Sequence, residues 1–285
     1  MSDYCIITDT SSELSLARCA ELGIRRLTLN STFGQEDWPD HDDLIGFYQT
    51  ISSKNIPTTS GLNYQEFFNV ADQVLASGKD VIFLGLSGAL SSASVSVRSM
   101  VQEDLSEKYP GHRIVCLETF CVSGGLEYLV TEAVERQQMG FSLDQLIEYV
   151  EKTRGSIAHH FTSDDLLYYF EGGRISRLKY IFGKALDKKP VMHVNDAGEL
   201  EPLDSVSGTD EAIRNIAKKI VDTITKKDGR IIISHANCPE KAQLLYDLLH
   251  KALPEAKIEI RNIGPTIGSH AGPTSLAVFC EATQR

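Results

Sequence analysis

The sequence predicts an α/β protein of two domains, each built around its own β-sheet. Short apolar runs alternate with amphipathic segments through the first half of the 285-residue chain. This alternation is typical of a mostly parallel sheet with helices on both faces. The second half contains a hairpin-like stretch, which indicates a mixed or antiparallel sheet. We place the boundary near Thr153–Ile157, giving an N-terminal α/β domain of residues 1–155 and a C-terminal α/β domain of residues 156–285.

In the first half, short apolar runs bounded by polar residues predict buried strands. These runs are Tyr4–Ile7, Arg25–Leu29, Val81–Leu86 and Arg113–Leu117. Apolar residues that recur every three or four positions predict the helices. The helices are Glu13–Leu22, Asp42–Ser53, Tyr64–Ser77, Ser92–Lys108, Gly124–Gln138 and Leu143–Thr153. Ser142 is the expected N-cap of the last of them.

In the second half, the turn Asn195–Gly198 separates two apolar runs and predicts a hairpin of Lys189–Val194 and Glu199–Leu203. Alternating helices and strands follow it. They are the helices Asp210–Thr225 and Glu240–Ala252 and the strands Arg230–Ser234, Lys257–Asn262 and Leu276–Cys280.

Polar loops follow three of the predicted strands: Thr8–Ser12, Ser87–Ser92 and Glu118–Thr119. Ligands of open α/β sheets bind at the carboxyl ends of strands. A helix N-terminus offers free N–H groups and a partial positive charge, so an anionic head group would suit Ser91 and Ser92. The same serines would also serve as ordinary helix caps, which explains many loops of this kind.

The segment Ile263–Pro273 sets a single histidine, His270, among three glycines and two prolines. Glycine lets the backbone approach a ligand closely, and proline fixes φ. The pattern predicts a rigid loop that directs the histidine side chain toward a bound molecule, or a tight turn with an incidental surface histidine.

Six motifs, taken in order, resemble the bacterial DegV family of fatty-acid-binding proteins. They are Ile6–Leu14, Pro57–Ser60, Leu86–Ser91, Gly172–Ser176, Lys189–Pro190 and Ile263–Pro273. Each motif is weak alone, but their order is specific and the resemblance spans essentially the whole chain.

The resemblance implies a long apolar tunnel between the two domains, holding a long-chain fatty acid as the only ligand. By position, hydroxyls of Thr59 and Ser91 would hold the carboxylate. Arg174 and His270 match family residues near the carboxylate and the surface that faces a kinase. The remaining expected ligand-binding residues lie beside these positions: Ser60, Ser92, Gly268 and Ser269.

The resemblance further implies a carrier that presents the acyl chain to a separate fatty acid kinase, which makes an acyl phosphate. The carrier would then be no enzyme and would need no metal or cofactor. Three positions depart from the family pattern. Ser92–Ser94 stands where Gly-Thr-Tyr is usual, Thr274 replaces a glycine, and Ser207 replaces an arginine. The serine removes a cation from the surface facing the partner, so a weaker or different partner contact is expected.

Two other classes of function stay open. A hydrolase could use Asp9, Ser91 and His270 as a triad, although the chain lacks a Gly-x-Ser-x-Gly elbow. A lipid or small-molecule sensor without a kinase partner could use the same tunnel. A carrier needs a mostly apolar cavity and a few donors for the carboxylate.

Composition excludes several other roles. The net charge of −11, without a cluster of Lys and Arg, argues against nucleic-acid binding. No apolar run approaches the roughly 20 residues of a membrane span, so any membrane contact would be transient. The N-terminus lacks a signal-peptide pattern, and six scattered cysteines without a Cys-x-x-Cys pair indicate free thiols in the cytoplasm. His159 and His160 would face opposite sides of a strand, so joint metal ligation is not expected.

Overall fold

A four-stranded parallel sheet forms the N-terminal part of the computed structural model, which describes residues 3–38, 43–184 and 188–285. Its strands, in spatial order, are β2 (Arg25–Leu27), β1 (Tyr4–Asp9), β6 (Asp80–Leu84) and β7 (Ile114–Leu117). Adjacent residues such as Ile6 and Ile7 are both fully buried. Burial on both faces requires helices on both sides, as the sequence predicted.

The amphipathic segments of this half form the predicted helices. They are α1 (Leu16–Leu22), α2 (Leu44–Thr50), α3 (Tyr64–Ala76), α4 (Ser92–Lys108), α5 (Gly124–Gln138) and α6 (Leu143–Thr153). Ser142 caps α6 and forms a capping box with Gln145, which confirms the expected cap. The predicted helix start at Glu13 is wrong, because this residue has a φ of 60° and α1 begins after the Ser15 cap. The predicted start of α2 at Asp42 lies outside the described residues.

A six-stranded sheet forms the C-terminal part. In spatial order its strands are β10 (Leu200–Ser207), β9 (Lys188–Val194), β8 (Ile157–Thr162), β13 (Leu276–Glu281), β11 (Arg230–His235) and β12 (Lys257–Asn262). Among the described strands of this sheet, β11 and β12 pair in parallel and all other neighbours pair antiparallel. The sheet is therefore mixed, as predicted. The helices α9 (Thr209–Thr223) and α10 (Pro239–Ala252) pack on one face.

Several short elements were not predicted. They are β3 (Ser31–Phe33), β4 (Glu36–Asp37), β5 (Thr58–Thr59), α7 (Leu167–Glu171), α8 (Arg177–Lys184) and α11 (Pro265–Ala271). The rigid loop predicted at Ile263–Pro273 is wrong, because its centre forms α11. Pro265 stands at the first turn, where a missing N–H is tolerated, and Gly272 ends the helix with a φ of 67°. His270 therefore lies in the last turn of a helix.

The two halves share one hydrophobic core. The main apolar cluster contains Leu84 and Leu129 from the first half together with Met192 and Phe279 from the second. The N-terminus of α5 lies against the second sheet, since a Cβ on Gly124 would fall 2.6 Å from the Phe279 ring. The division at residues 155 and 156 therefore stays a prediction. Among the described helices, none has the length and apolar character needed to cross a membrane.

Candidate functional site

A cavity of about 790 Å³, counting its opening to solvent, is lined by residues from both halves of the chain. Most of its wall is apolar. The apolar lining residues are Leu29, Leu86, Leu90, Val122, Phe161, Tyr169, Val194, Leu200, Ile263, Ile267, Ala271, Ala277 and Phe279. A wall of this composition suits a hydrocarbon chain and offers little to a polar ligand.

The second sheet supplies the floor of the cavity. Alternate residues of a strand share one face, so His159 and Phe161 of β8 point the same way, as do Ala277 and Phe279 of β13. Phe161 lies opposite Ala277 in the antiparallel register, and His159 lies opposite Phe279. The intervening residue Val278 faces the other side, where it belongs to the cluster under α9 and α10.

Away from the end lined by Thr59, Ser60, Ser91, Arg174 and His270, four polar side chains interrupt the apolar wall, and each directs its hydrogen-bonding groups to the protein. Ser123 Oγ donates to Glu13, Thr266 Oγ1 to Leu29 O, Ser275 Oγ to Ala271 O, and His159 bonds Ile157 O and the N–H of Val122. Because these groups are already bonded to protein atoms, this part of the cavity behaves as apolar surface.

Arg174, His270 and Thr59 form a chain of contacts at one end of the cavity. Arg174 Nη1 lies 3.4 Å from His270 Nδ1, and His270 Nε2 lies 2.7 Å from Thr59 Oγ1. Burial, with a smaller contribution from Arg174, lowers the pKa of His270 to about 3, so the imidazole is neutral. A guanidinium can only donate, which makes Nδ1 the acceptor and assigns the proton to Nε2. Nε2 then donates to Thr59, so the Thr59 hydroxyl keeps its own proton for a further acceptor.

The paired glycines before Arg174 explain how this chain assembles. A Cβ on Gly172 would fall 2.3 Å from His270 Nδ1, so only glycine lets the two segments meet. Gly173 has a φ of 74°, which turns the backbone sharply. Arg174 is then held by a bond from its Nε to Leu90 O, 3.1 Å away.

A second pair of hydroxyls lies at the N-terminus of α4. Ser91 Oγ and Ser94 Oγ are 2.8 Å apart, and Ser94 Oγ also accepts the N–H of Leu62 at 3.2 Å. Ser94 can therefore donate to Ser91, which leaves the Ser91 proton for a ligand. Sequence reasoning missed Ser94 as a functional residue, although the spacing of three at a helix start places both serines on one face.

The structure brings Thr59, Ser60, Ser91, Arg174 and His270 together around this end of the cavity. The first four also line an adjoining polar cavity of about 1150 Å³, counting open solvent, which forms the mouth. Exposed Ser92 lines only this mouth, together with Lys179.

Gly268 and Ser269, by contrast, line neither of these cavities. A Cβ on Gly268 would meet the Tyr48 hydroxyl at 2.5 Å, and Ser269 Oγ donates to Pro265 O within α11. Ligand contact by any of the eight predicted site residues stays a prediction.

Asp9, Ser91 and His270, the residues of the hypothetical hydrolase triad, do not contact one another as a triad would and have other partners. Asp9 accepts hydrogen bonds from the N–H groups of Ser11 and Leu86, while His270 faces Thr59 and Arg174 and Ser91 faces Ser94. These contacts are not those of a nucleophile, a base and its orienting acid. Over the described ranges, no group of three or more His, Cys, Asp or Glu side chains gathers in a way that could hold a metal ion.

Glu13 is a further residue that the sequence did not single out. Its carboxyl accepts the N–H of Gly264 at 2.6 Å and the Ser123 hydroxyl at 2.9 Å, so it ties the loop after β1 to the start of α11. Burial raises the pKa of Glu13 to about 8, with Glu127 nearby adding to the rise. The carboxyl lies directly behind Ser123, in the cavity wall.

Comparison with known proteins agrees with this architecture. The model of the DegV family, described as uncharacterised proteins, matches residues 4–283. A DegV domain-containing protein of Clostridium perfringens is 30% identical over 284 residues, which cover 98% of this chain and 97% of the relative.

Two solved structures share the fold. The fatty acid binding DegV family protein of Streptococcus agalactiae is 25% identical, with a TM-score of 0.85 and coverage of 100% of both chains. A fatty-acid-binding DegV family protein of Thermus thermophilus is 23% identical, with a TM-score of 0.86. The match covers 98% of this chain and 99% of the Thermus thermophilus chain. The two-sheet α/β fold predicted from the sequence is thus confirmed, and the chain belongs to the DegV family.

Proposed function

We propose that this protein binds a long-chain fatty acid, with the tail in the apolar cavity and the carboxylate at Thr59 and Ser91. One observation carries the proposal: the Thr59 and Ser91 hydroxyls line one end of the cavity and can each donate to a ligand, whereas the polar groups along the rest of the wall are already bonded to protein atoms. The cavity therefore offers one polar end and one apolar body, as a fatty acid requires.

Magnitudes support this assignment. Each buried methylene favours binding by about 0.8 kcal/mol, so a long tail supplies most of the affinity. The carboxylate must regain hydrogen bonds when it leaves water. Thr59 and Ser91 supply two, and the Arg174 guanidinium behind His270 supplies a positive charge. The fatty acid binding of the Streptococcus agalactiae relative, which shares the whole fold, supports the same ligand.

Organic extraction of the purified protein should release a long-chain fatty acid in about equimolar amount, because the apolar wall retains such a ligand through purification. Mass spectrometry of the extract identifies it, and an unrelated protein purified from the same host is the control. A water-soluble ligand in the extract, together with no uptake of added fatty acid by calorimetry, would contradict the proposal.

We further propose that the protein acts as a carrier and presents the carboxylate to an acyl kinase. Thr59, Ser91 and Arg174 are shared between the apolar cavity and the polar mouth, so a partner could reach the head group without entering the tail region. The six cysteines are free, which supports a cytoplasmic location. Ser207 lies exposed at the end of β10 and supplies no charge to a partner. A sensor that uses the same cavity without a kinase is the alternative.

Replacing Arg174 by alanine should reduce turnover by a cognate acyl kinase more than it weakens lipid binding, because the tail dominates the affinity. Replacing exposed Arg18, whose side chain forms a surface ion pair with neighbouring Glu21, provides the matched control. Phosphorylation of bound fatty acid and its dissociation constant are measured on the same samples. Full turnover by the Arg174→Ala variant would exclude this role.

A further inference from the structure

We propose that Ala277 sets how long an acyl chain the cavity accepts and that Phe279 is the stop beyond it; this inference rests on the proposed function. Neither residue belongs to the head-group end. Both lie on the face of β13 that forms the cavity floor.

The small residues along β13 form a groove. Ser275, immediately before the strand, and Ala277 both line the cavity, and they are followed on the same face by Phe279. Successive residues on one face are about 6.8 Å apart along a strand. Ser275 is bonded to Ala271, the residue after His270, so the groove begins beside the head-group end. A chain leaving that end passes over two small side chains before it meets an aromatic ring.

Larger side chains flank this groove. Phe161, opposite Ala277 in the register, pairs with Tyr169 at a centroid distance of 5.6 Å. His159, opposite Phe279, packs edge-to-face against that ring at 5.2 Å. Ala277 is therefore the small member of the floor between two aromatic pairs, and it adds only a Cβ to the cavity wall.

Phe279 is held in place from behind. A Cβ on Gly124 would fall 2.6 Å from the Phe279 ring, so the N-terminus of α5 already lies against it. The ring is 2% exposed and cannot move aside without displacing α5. A fixed ring at the end of a groove of small residues acts as a length limit.

The test compares the affinities of octanoate, palmitate and eicosanoate for wild type, Ala277→Leu and Phe279→Ala. We expect Ala277→Leu to weaken palmitate binding by about tenfold or more and octanoate binding by a smaller factor, because the added methyl groups fill the groove and octanoate has fewer methylenes to lose there. Phe279→Ala should improve eicosanoate relative to palmitate by about threefold or more, since the stop is removed. The two variants are measured separately, so the inference can still be tested with one of them if the other fails to fold.

Ala158→Leu is the matched control. It adds the same bulk on β8, but Ala158 belongs to the cluster on the opposite face of the sheet. Its chain-length profile should follow wild type. If wild type binds the series but neither cavity variant changes the profile, this inference is overturned and fatty acid binding stands. If wild type binds none of the three, both proposals are overturned.

Discussion

Replacing both Thr59 and Ser91 by alanine should weaken the binding of a long-chain fatty acid by about two to four orders of magnitude. A hydrogen bond to a charged group contributes roughly 1.5–3 kcal/mol, and the double variant loses two such bonds to the carboxylate. The loss is large because the carboxylate would still have to leave water. Calorimetry with palmitate measures the effect.

The hydrogen bonds that the Thr59 and Ser91 hydroxyls make with other side chains make this prediction specific. Thr59 receives a hydrogen bond from His270, and Ser91 can receive one from Ser94, so both hydroxyls can donate their protons to a carboxylate. Ser99→Ala is the control, because Ser99 is an exposed serine of α4 whose hydroxyl donates to the helix backbone at Val95 O. Palmitate binding equal to wild type in the double variant would place the head group elsewhere.

Glu13 should contribute a fall in stability as the pH rises from about 5 to 8, and Glu13→Gln should remove that contribution. Burial holds the pKa of Glu13 at about 8 in the folded chain, against an ordinary value of 4.5. Between these values the unfolded chain gives up the proton while the folded chain keeps it. Folding then binds a proton, and stability decreases with pH.

A shift of one pKa unit corresponds to about 1.4 kcal/mol, so Glu13 should account for roughly 2–5 kcal/mol across this range. Urea unfolding measures the free energy of unfolding of wild type and Glu13→Gln. The measurements are made at about pH 5, 7 and 8.5, so that they span the pKa of Glu13 in the folded chain. Glu21→Gln serves as the exposed control. Parallel curves for wild type and Glu13→Gln would show that the buried carboxyl does not titrate in this range.

Much of the fold follows from periodicity. The strands and helices of the first half, and the hairpin of the second, could be predicted because their buried apolar residues recur at regular spacings along the chain. Helix α11 was missed because the two prolines and three glycines of the segment Ile263–Pro273 favour a turn. Only packing against Tyr48 and Gly172 shows why small residues suit a helix there. The small β3–β5 sheet has strands too short to produce a period.

The candidate site was predictable in part. Thr59, Ser91, Arg174 and His270 come from four separate motifs, and their order along the chain was enough to group them by family resemblance. The spacing of three at the start of α4 was the one signal for Ser94, whereas the role of Glu13 could not be predicted, because it depends on Gly264, a partner distant in sequence. Contacts of this kind carry no local pattern.

The cavity wall has a consequence for the life of the protein in the cell. Leu29, Phe161, Ala277 and Phe279 line the cavity and also belong to the main hydrophobic core. A bound acyl chain would complete that core as a buried side chain does, and a ligand present at a hundred times its dissociation constant stabilises a fold by about 2.7 kcal/mol. Loaded molecules would then resist proteases longer than empty ones. If the protein binds fatty acid as proposed, its abundance would follow the supply of lipid without any change in its synthesis.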